Sequence, residues 1–235
     1  MTSRPHRRGL APGDASLFAS EALPRLRAAA DEAVWLLGRG YGLDSCVSIV
    51  GGHHQLAARQ RLFLKRAVCS EAQRVARGGR RRDAIEGDVV RVDGFNLLIT
   101  LEVALSGGLV FTAYDGALRD IAGLRGSYHL IDETDRAIDL GLAAIATLAP
   151  RRVDFFLDAP VSNSGRLRAR IEERAASMPF QTDVVLDANP DARLVGCTNV
   201  ISADALVLDR CASWLPLAGD IVTRHVPGAF HLSLW

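Results

Sequence analysis

Four aspartates stand where a carboxylate is expensive. Asp93 closes the apolar run "DVVRVD", Asp158 closes "VDFFLD", Asp204 ends "NVISAD", and Asp191 opens the short stretch "PDARLVG". An ionised carboxyl at the end of a buried strand costs on the order of several kcal/mol unless it caps a helix, holds a ligand or meets a cation. In an open α/β sheet the carboxyl ends of the strands converge on one crevice, so these residues predict a shared pocket with Asp191 at its rim. Gathered carboxylates raise one another's pKa and repel unless a cation neutralises them, and an all-oxygen set suits Mg²⁺ or Mn²⁺. Asp93, Asp158, Asp191 and Asp204 are therefore the expected metal ligands. Asn96 follows closely enough to orient Asp93 or touch a phosphate oxygen. Gly94 lets the backbone turn sharply beside a substrate, and Phe95 packs beneath. Capping accounts for any one of these residues alone, since Asp and Asn favour that position. Four together point to a common acidic site.

The elements that would position these side chains fall into two parts. "SLFASEALPRLRAAADEAVWLLGRGYG" carries a helical apolar stripe through Leu23, Leu26, Ala30, Ala33, Val34 and Leu37. A short helix over 44–50, a Gly51-Gly52 break and an amphipathic helix over 55–68 follow. "RGGRRRDAIEGD" reads as a charged joint, which places a small all-helical unit at 17–82 and a second domain at 83–235. In the second part strands alternate with helices: "DVVRVDG", "LLITLEVALSG", "GLVFTAYDG", "TDRAIDLGLAAIATLAP", "RVDFFLDAP", "GRLRARIEERAAS", "FQTDVVLDA", "PDARLVGC", "TNVISAD", "ALVLDRCASW" and "GDIVTRHV". That order predicts an α/β class with a mostly parallel sheet and helices on both faces.

Composition sets the bounds. With 235 residues, 49% of them hydrophobic, and a net charge of +1, the chain can bury a sizeable core, and nothing global marks a polyanion or membrane binder. No apolar run reaches the roughly 18 residues of a membrane span, and "MTSRPHRRGLAPGD" has no apolar core behind its basic residues. Cys46, Cys69, Cys197 and Cys211 lie far apart without a C-x-x-C pair, which suits reduced thiols, and a cytoplasmic location is expected. His53 and His54 point different ways with no third ligand near, so a solvated turn is expected there.

Taken in order, "VDGFNLL", "FFLDAP", "NPDARLV" and "VISADALVLDR" resemble the acidic motifs of PIN/NYN-like ribonuclease domains over about 88–235. The chain with its helical N-terminal part also resembles an uncharacterised prokaryotic family that joins the same two pieces. The resemblance implies a PIN-like, Rossmann-like fold and metal-dependent endoribonuclease activity, with RNA as partner and Asp93, Asn96, Asp158, Asp191 and Asp204 as the catalytic set. Ser202-Ala203-Asp204 stands where the family has Thr-Ser-Asp, so one hydroxyl beside the last carboxylate is missing and Ser202 retains the other. This departure supports a second reading, an inactive nuclease-like module that binds RNA or a protein partner. The N-terminal helices would then offer a surface for a protein partner or a second copy of the chain.

The stretch "YDGALRDIAGLRGSYHLIDETDRAIDL" reads as a long polar loop, and long loops in compact domains are often functional. Arg119 and Arg125 would contact phosphates and Tyr128 would stack on a base, with Ser202 completing the substrate contacts. Alternatively Asp115 and Asp120 pair with those arginines in a solvated loop. Asp135, at a helix start, would add a further ligand.

Overall fold

The computed structural model describes residues 8–123 and 126–235. Its first part is helical: α1 (Asp14–Leu17), α2 (Leu23–Gly38), α3 (Leu43–His53), α4 (Ala58–Ala67) and α5 (Glu71–Arg80). Gly51 and Gly52 do not break α3, contrary to expectation. The guanidinium of Arg61 lies against Gly51, where a Cβ would come within 3.0 Å of it. Arg61 Nη2 donates to the Gly51 carbonyl at 2.8 Å, so glycine here makes room for an arginine. The joint after α5 is bonded rather than loose. Arg82 N donates to the Trp214 carbonyl at 2.9 Å and Trp214 N to that of Arg80 at 3.0 Å, while the buried Trp214 indole donates to the Arg77 carbonyl.

The α/β part continues with β1 (Val89–Asp93), α6 (Gly94–Leu105), β2 (Leu109–Thr112), β3 (Leu118–Asp120), α7 (Thr134–Thr147), β4 (Arg152–Asp158), α8 (Ser164–Ala175), β5 (Gln181–Asp187), α9 (Pro190–Leu194), β6 (Val200–Ile201), α10 (Ala205–Arg210), α11 (Leu217–His225) and β7 (Phe230–Ser233). The main sheet is parallel throughout, in the order β5-β4-β1-β6. The chain builds outward from β1 to β4 and β5, then returns to the other side of β1 with β6. The carboxyl end of β1 is thus where the strand order reverses, the usual place for a crevice.

Burial alternates along the strands. Val90 and Val92 of β1, Val153, Phe155 and Leu157 of β4 and Val184 of β5 enter the main core together with residues of α6, α7, α8 and α11. The opposite face carries Arg91, Asp154, Phe156 and Val200, against which Leu194 of α9 and Val207 and Leu208 of α10 pack, so helices lie on both faces as expected, with this face the less completely covered.

Three further differences follow. "GLVFTAYDG" does not join the main sheet: β2 forms a second sheet in the order β3-β2-β7. Leu109, Phe111 and Leu232 of that sheet share a core with α2, α3 and α4. "ALRD", expected as loop, is β3. "GDIVTRHV", expected as a strand, is helix α11, whose Leu217, Ile221 and Val222 pack in the main core. None of the described helices is long and apolar enough to cross a membrane.

Candidate acidic site

Asp93 ends β1 and caps α6: its Oδ1 accepts the Asn96 N–H at 3.3 Å. β1 and β4 run in parallel register with Asp93 opposite Phe156, so Asp93 and Asp158 fall on the same face of the sheet, opposite the main core. Gly94 permits this arrangement. A Cβ there would lie 2.6 Å from Leu157 Cδ2 and 3.2 Å from the Phe156 carbonyl oxygen, so the glycine lets the first turn of α6 press against β4 rather than against a substrate. Phe95 is buried beneath, its ring 5.2 Å from that of Tyr128.

The strand on the other side of β1 delivers the second pair. Asp204 caps α10, its Oδ1 accepting from the N–H groups of Leu206 at 2.8 Å and Val207 at 3.3 Å. Ser202 ties the two caps together. Its hydroxyl donates to Asp93 Oδ2 at 2.8 Å and accepts the Asp204 N–H at 3.0 Å. Asn96 Oδ1 accepts the Ala203 N–H at 2.7 Å, which pins the Asp204 loop to the start of α6. Asp191 approaches on the first turn of α9, a helix capped by the Asn189 side chain.

Asp93, Asp158, Asp191 and Asp204 line one cavity of about 220 Å³, with Asn96, Arg66, Asp120 and Ile99 among its other walls. Sequence reasoning missed Asp120 and Arg66. Asp120 ends a strand of only three residues, too short for periodicity to mark it. It is buried, accepting from the Thr100 hydroxyl at 2.8 Å and the Ala122 N–H at 2.7 Å. Arg66 closes the rim from α4. It donates to the backbone carbonyls of Asp120 and Ala122 and stands 3.6 Å from the Asp120 carboxylate. A larger cavity of about 700 Å³ opens beside the first, between the helical part and the β6–α10 loop, and Arg66, Asn96, Asp120 and Asp204 line both.

Electrostatics follow from this crowding. Burial, with smaller contributions from the neighbouring Asp191 and Asp204 charges, pushes Asp93 up to about 7 against the bonds from Ser202 and Asn96. Burial raises Asp191 too, helped by Asp204 and Asp158. Burial alone raises Asp158, and burial outweighs Thr100 and Arg66 at Asp120. The donor set is entirely oxygen, which fits Mg²⁺ or Mn²⁺. The carboxylates nevertheless surround the cavity rather than close on a point: among the described residues, the only three His, Cys, Asp or Glu donors within 4.8 Å of one another lie elsewhere. A hard cation that keeps several waters and uses one or two carboxylates matches such a cavity better than a closed protein cage does.

Several expected substrate contacts are corrected. Tyr128 is fully buried, its hydroxyl on the Glu102 carboxylate, and cannot stack on a base. Arg119 is buried as well. Its Nε donates to the Ala203 carbonyl at 2.7 Å, Nη1 to that of Arg66 at 3.0 Å and Nη2 to Asp115 at 2.6 Å, so it braces the loop carrying Asp204 against α4 and presents no free guanidinium. Ser202 is buried and bonds the Asp93 carboxylate and the Asp204 N–H rather than facing a substrate. Asp135 lies outside the cavity, paired with Arg170 across α7 and α8. The alternative pairing of Asp115 with Arg119 is present, but it is buried rather than solvated, with Arg77 on the other side of the carboxylate. Arg125 lies outside the described residues.

Residues 25–80 match the family described as Protein of unknown function (DUF434), and residues 82–220 match Domain of unknown function (DUF5616). An uncharacterized protein of Methanocaldococcus jannaschii is 29% identical over 176 residues, which cover 74% of this chain and 84% of the relative. No solved structure matches the chain. The DUF5616 match spans more than half of the sequence and takes in Asp93, Asp120, Asp158, Asp191 and Asp204, and the chain belongs to that uncharacterised family.

Proposed function

We propose that the chain is a metal-dependent endoribonuclease that cuts RNA at the acidic cavity with Mg²⁺ or Mn²⁺. The observation that carries this reading is the convergence of five carboxylates on one cavity at the point where the sheet order reverses, four of them held above their ordinary range. A bound divalent cation would supply a water of lowered pKa and neutralise charge developing on the phosphoryl group. Asp158 and Asp191 receive no hydrogen bond from another described side chain, and they are the ligands freest to take a cation. Burial pushes the Asp93 carboxyl up to about 7, so a proton and a bound cation would compete for it near neutrality. Asn96 and Ser202 fix the positions of Asp93 and Asp204, and the Asn96 amide nitrogen is left to meet a phosphate oxygen. The adjoining cavity of about 700 Å³, with the exposed Tyr41 and Leu206 on its walls, gives a strand leaving the site somewhere to lie.

The reading is tested by incubating single-stranded RNA with the full chain, with and without Mn²⁺, beside Asp158→Asn and Asp191→Asn. Cleavage that needs the metal and falls by about 10²-fold or more in either variant is expected, because metal-assisted catalysis supplies several kcal/mol of transition-state stabilisation. Cleavage that survives a chelator, or equally active variants, would overturn it. One observation favours the second reading, an inactive module that binds RNA or a protein partner: Asp93 and Asp204 each spend an oxygen capping a helix, and the hydroxyl missing at Ala203 is not replaced. Metal-dependent RNA binding without cleavage would select an RNA-binding module.

A further inference from the structure

The N-terminal part holds a second cluster of side chains of metal-ligating type, which shares no residue with the acidic cavity and differs from it in chemistry. Glu32 lies on α2, His53 ends α3, and His54 follows as its C-terminal cap, its N–H donating to the Val50 carbonyl at 2.9 Å. His54 Nε2 stands 2.9 Å from Glu32 Oε2, and the two imidazole rings are nearly perpendicular with centroids 4.8 Å apart. One donor atom from each of the three residues lies within 4.8 Å of the others. Adjacent histidines were expected to diverge with no third ligand. The third ligand comes from α2, which lies beside the end of α3 and brings Glu32 to both histidines.

We infer that Glu32, His53 and His54 form a binding site for a transition-metal dication of the zinc class. Two imidazole nitrogens and one carboxylate oxygen are the donor types that zinc, cobalt and nickel take in preference to Mg²⁺ or Ca²⁺. Bond lengths of about 2.0–2.2 Å place the donors of a tetrahedral zinc site about 3.4 Å apart, so the exposed side chains need to close by no more than about 1.4 Å. A rotation of the exposed His53 side chain covers that distance. The position at the C-terminal end of α3, where unpaired carbonyls leave negative partial charge, also favours a cation. Three protein ligands leave a fourth position to water. Because Glu32 and His54 are 22 residues apart, the ion would staple α2 to the corner between α3 and α4.

The test uses the full chain stripped with a chelator, titrated with Zn²⁺ and separately with Co²⁺. One equivalent should bind at the cluster and raise the melting temperature by roughly 5–10 °C when free zinc exceeds the dissociation constant a hundredfold. Co²⁺ should give the visible absorption bands of a nitrogen-ligated ion. Both responses should vanish in the His53→Ala/His54→Ala double variant and weaken about tenfold or more in Glu32→Gln, while Asp93→Asn keeps them. Glu32 and His53 are exposed and His54 is half-buried, so unchanged far-ultraviolet dichroism of both variants is required to show that the fold is kept. A zinc response that survives the double variant, or that Asp93→Asn abolishes, would assign the ion to the acidic cavity and overturn the inference. An absent response in the unmodified chain would do the same.

Discussion

Asp93→Asn separates the acidic cavity's electrostatics from its packing. In the folded chain the Asp93 carboxyl is raised from an ordinary 3.8 to about 7, chiefly by burial and further by Asp191 and Asp204. The folded state therefore keeps a proton over a range where the unfolded chain has released it. Its contribution to stability is full below pH 4 and is lost as the pH climbs through about 7. The difference corresponds to about 4 kcal/mol at most, and about 2 kcal/mol after allowing for relaxation among the coupled carboxylates. Asparagine keeps the cap, since its side-chain oxygen accepts the Asn96 N–H as the carboxylate does, and it carries no charge. At pH 8 without metal the variant should melt on the order of 4–8 °C above the unmodified chain, and at pH 4.5 the two should coincide. Adding Mn²⁺ at pH 8 should restore the unmodified chain and do little for the variant. Calorimetric melts at half-unit intervals from pH 4.5 to 8 read all three. Parallel curves for the two proteins would refute the reasoning, because they would mean that Asp93 is ionised in the fold at little cost.

Further substitutions probe the supports of the site. Gly94→Ala should destabilise by about 1–3 kcal/mol in urea titration, since its Cβ meets Leu157 at 2.6 Å, and cleavage should fall as α6 shifts from β4. Tyr128→Phe should cost about 1–3 kcal/mol through the buried Glu102 it leaves with fewer donors, with RNA affinity unchanged in a filter-binding assay; a loss of affinity without a loss of stability would return Tyr128 to the substrate. Asp135→Asn should leave cleavage intact and change stability by about 1 kcal/mol or less, because its pair with Arg170 is half-buried and in reach of solvent.

The acidic residues were legible because carboxylates are anomalous at the ends of apolar runs, and Asp93, Asp158, Asp191 and Asp204 line one cavity. What escaped depends on tertiary partners. "IVT" in α11 has the composition of a strand, yet Ile221 and Val222 are buried on a helix against α6 and α7, so packing overrode β propensity. Gly51 inside α3 makes sense only beside Arg61, ten residues away in sequence. Arg119 and Tyr128 had the residue types of a nucleic-acid contact, but only the fold shows that Asp115 and Glu102 draw them inward. The sequence presents Asp120 only as a partner for loop arginines, because no three-residue strand announces itself by alternation.

A crystal of the full chain soaked in Mn²⁺, read by its anomalous signal, tests the central claim most directly. A manganese peak within about 2.3 Å of oxygens from at least two of Asp93, Asp158, Asp191 and Asp204 is the predicted result. A cavity without such a peak at saturating Mn²⁺, or manganese bound only at Glu32, His53 and His54, would contradict it.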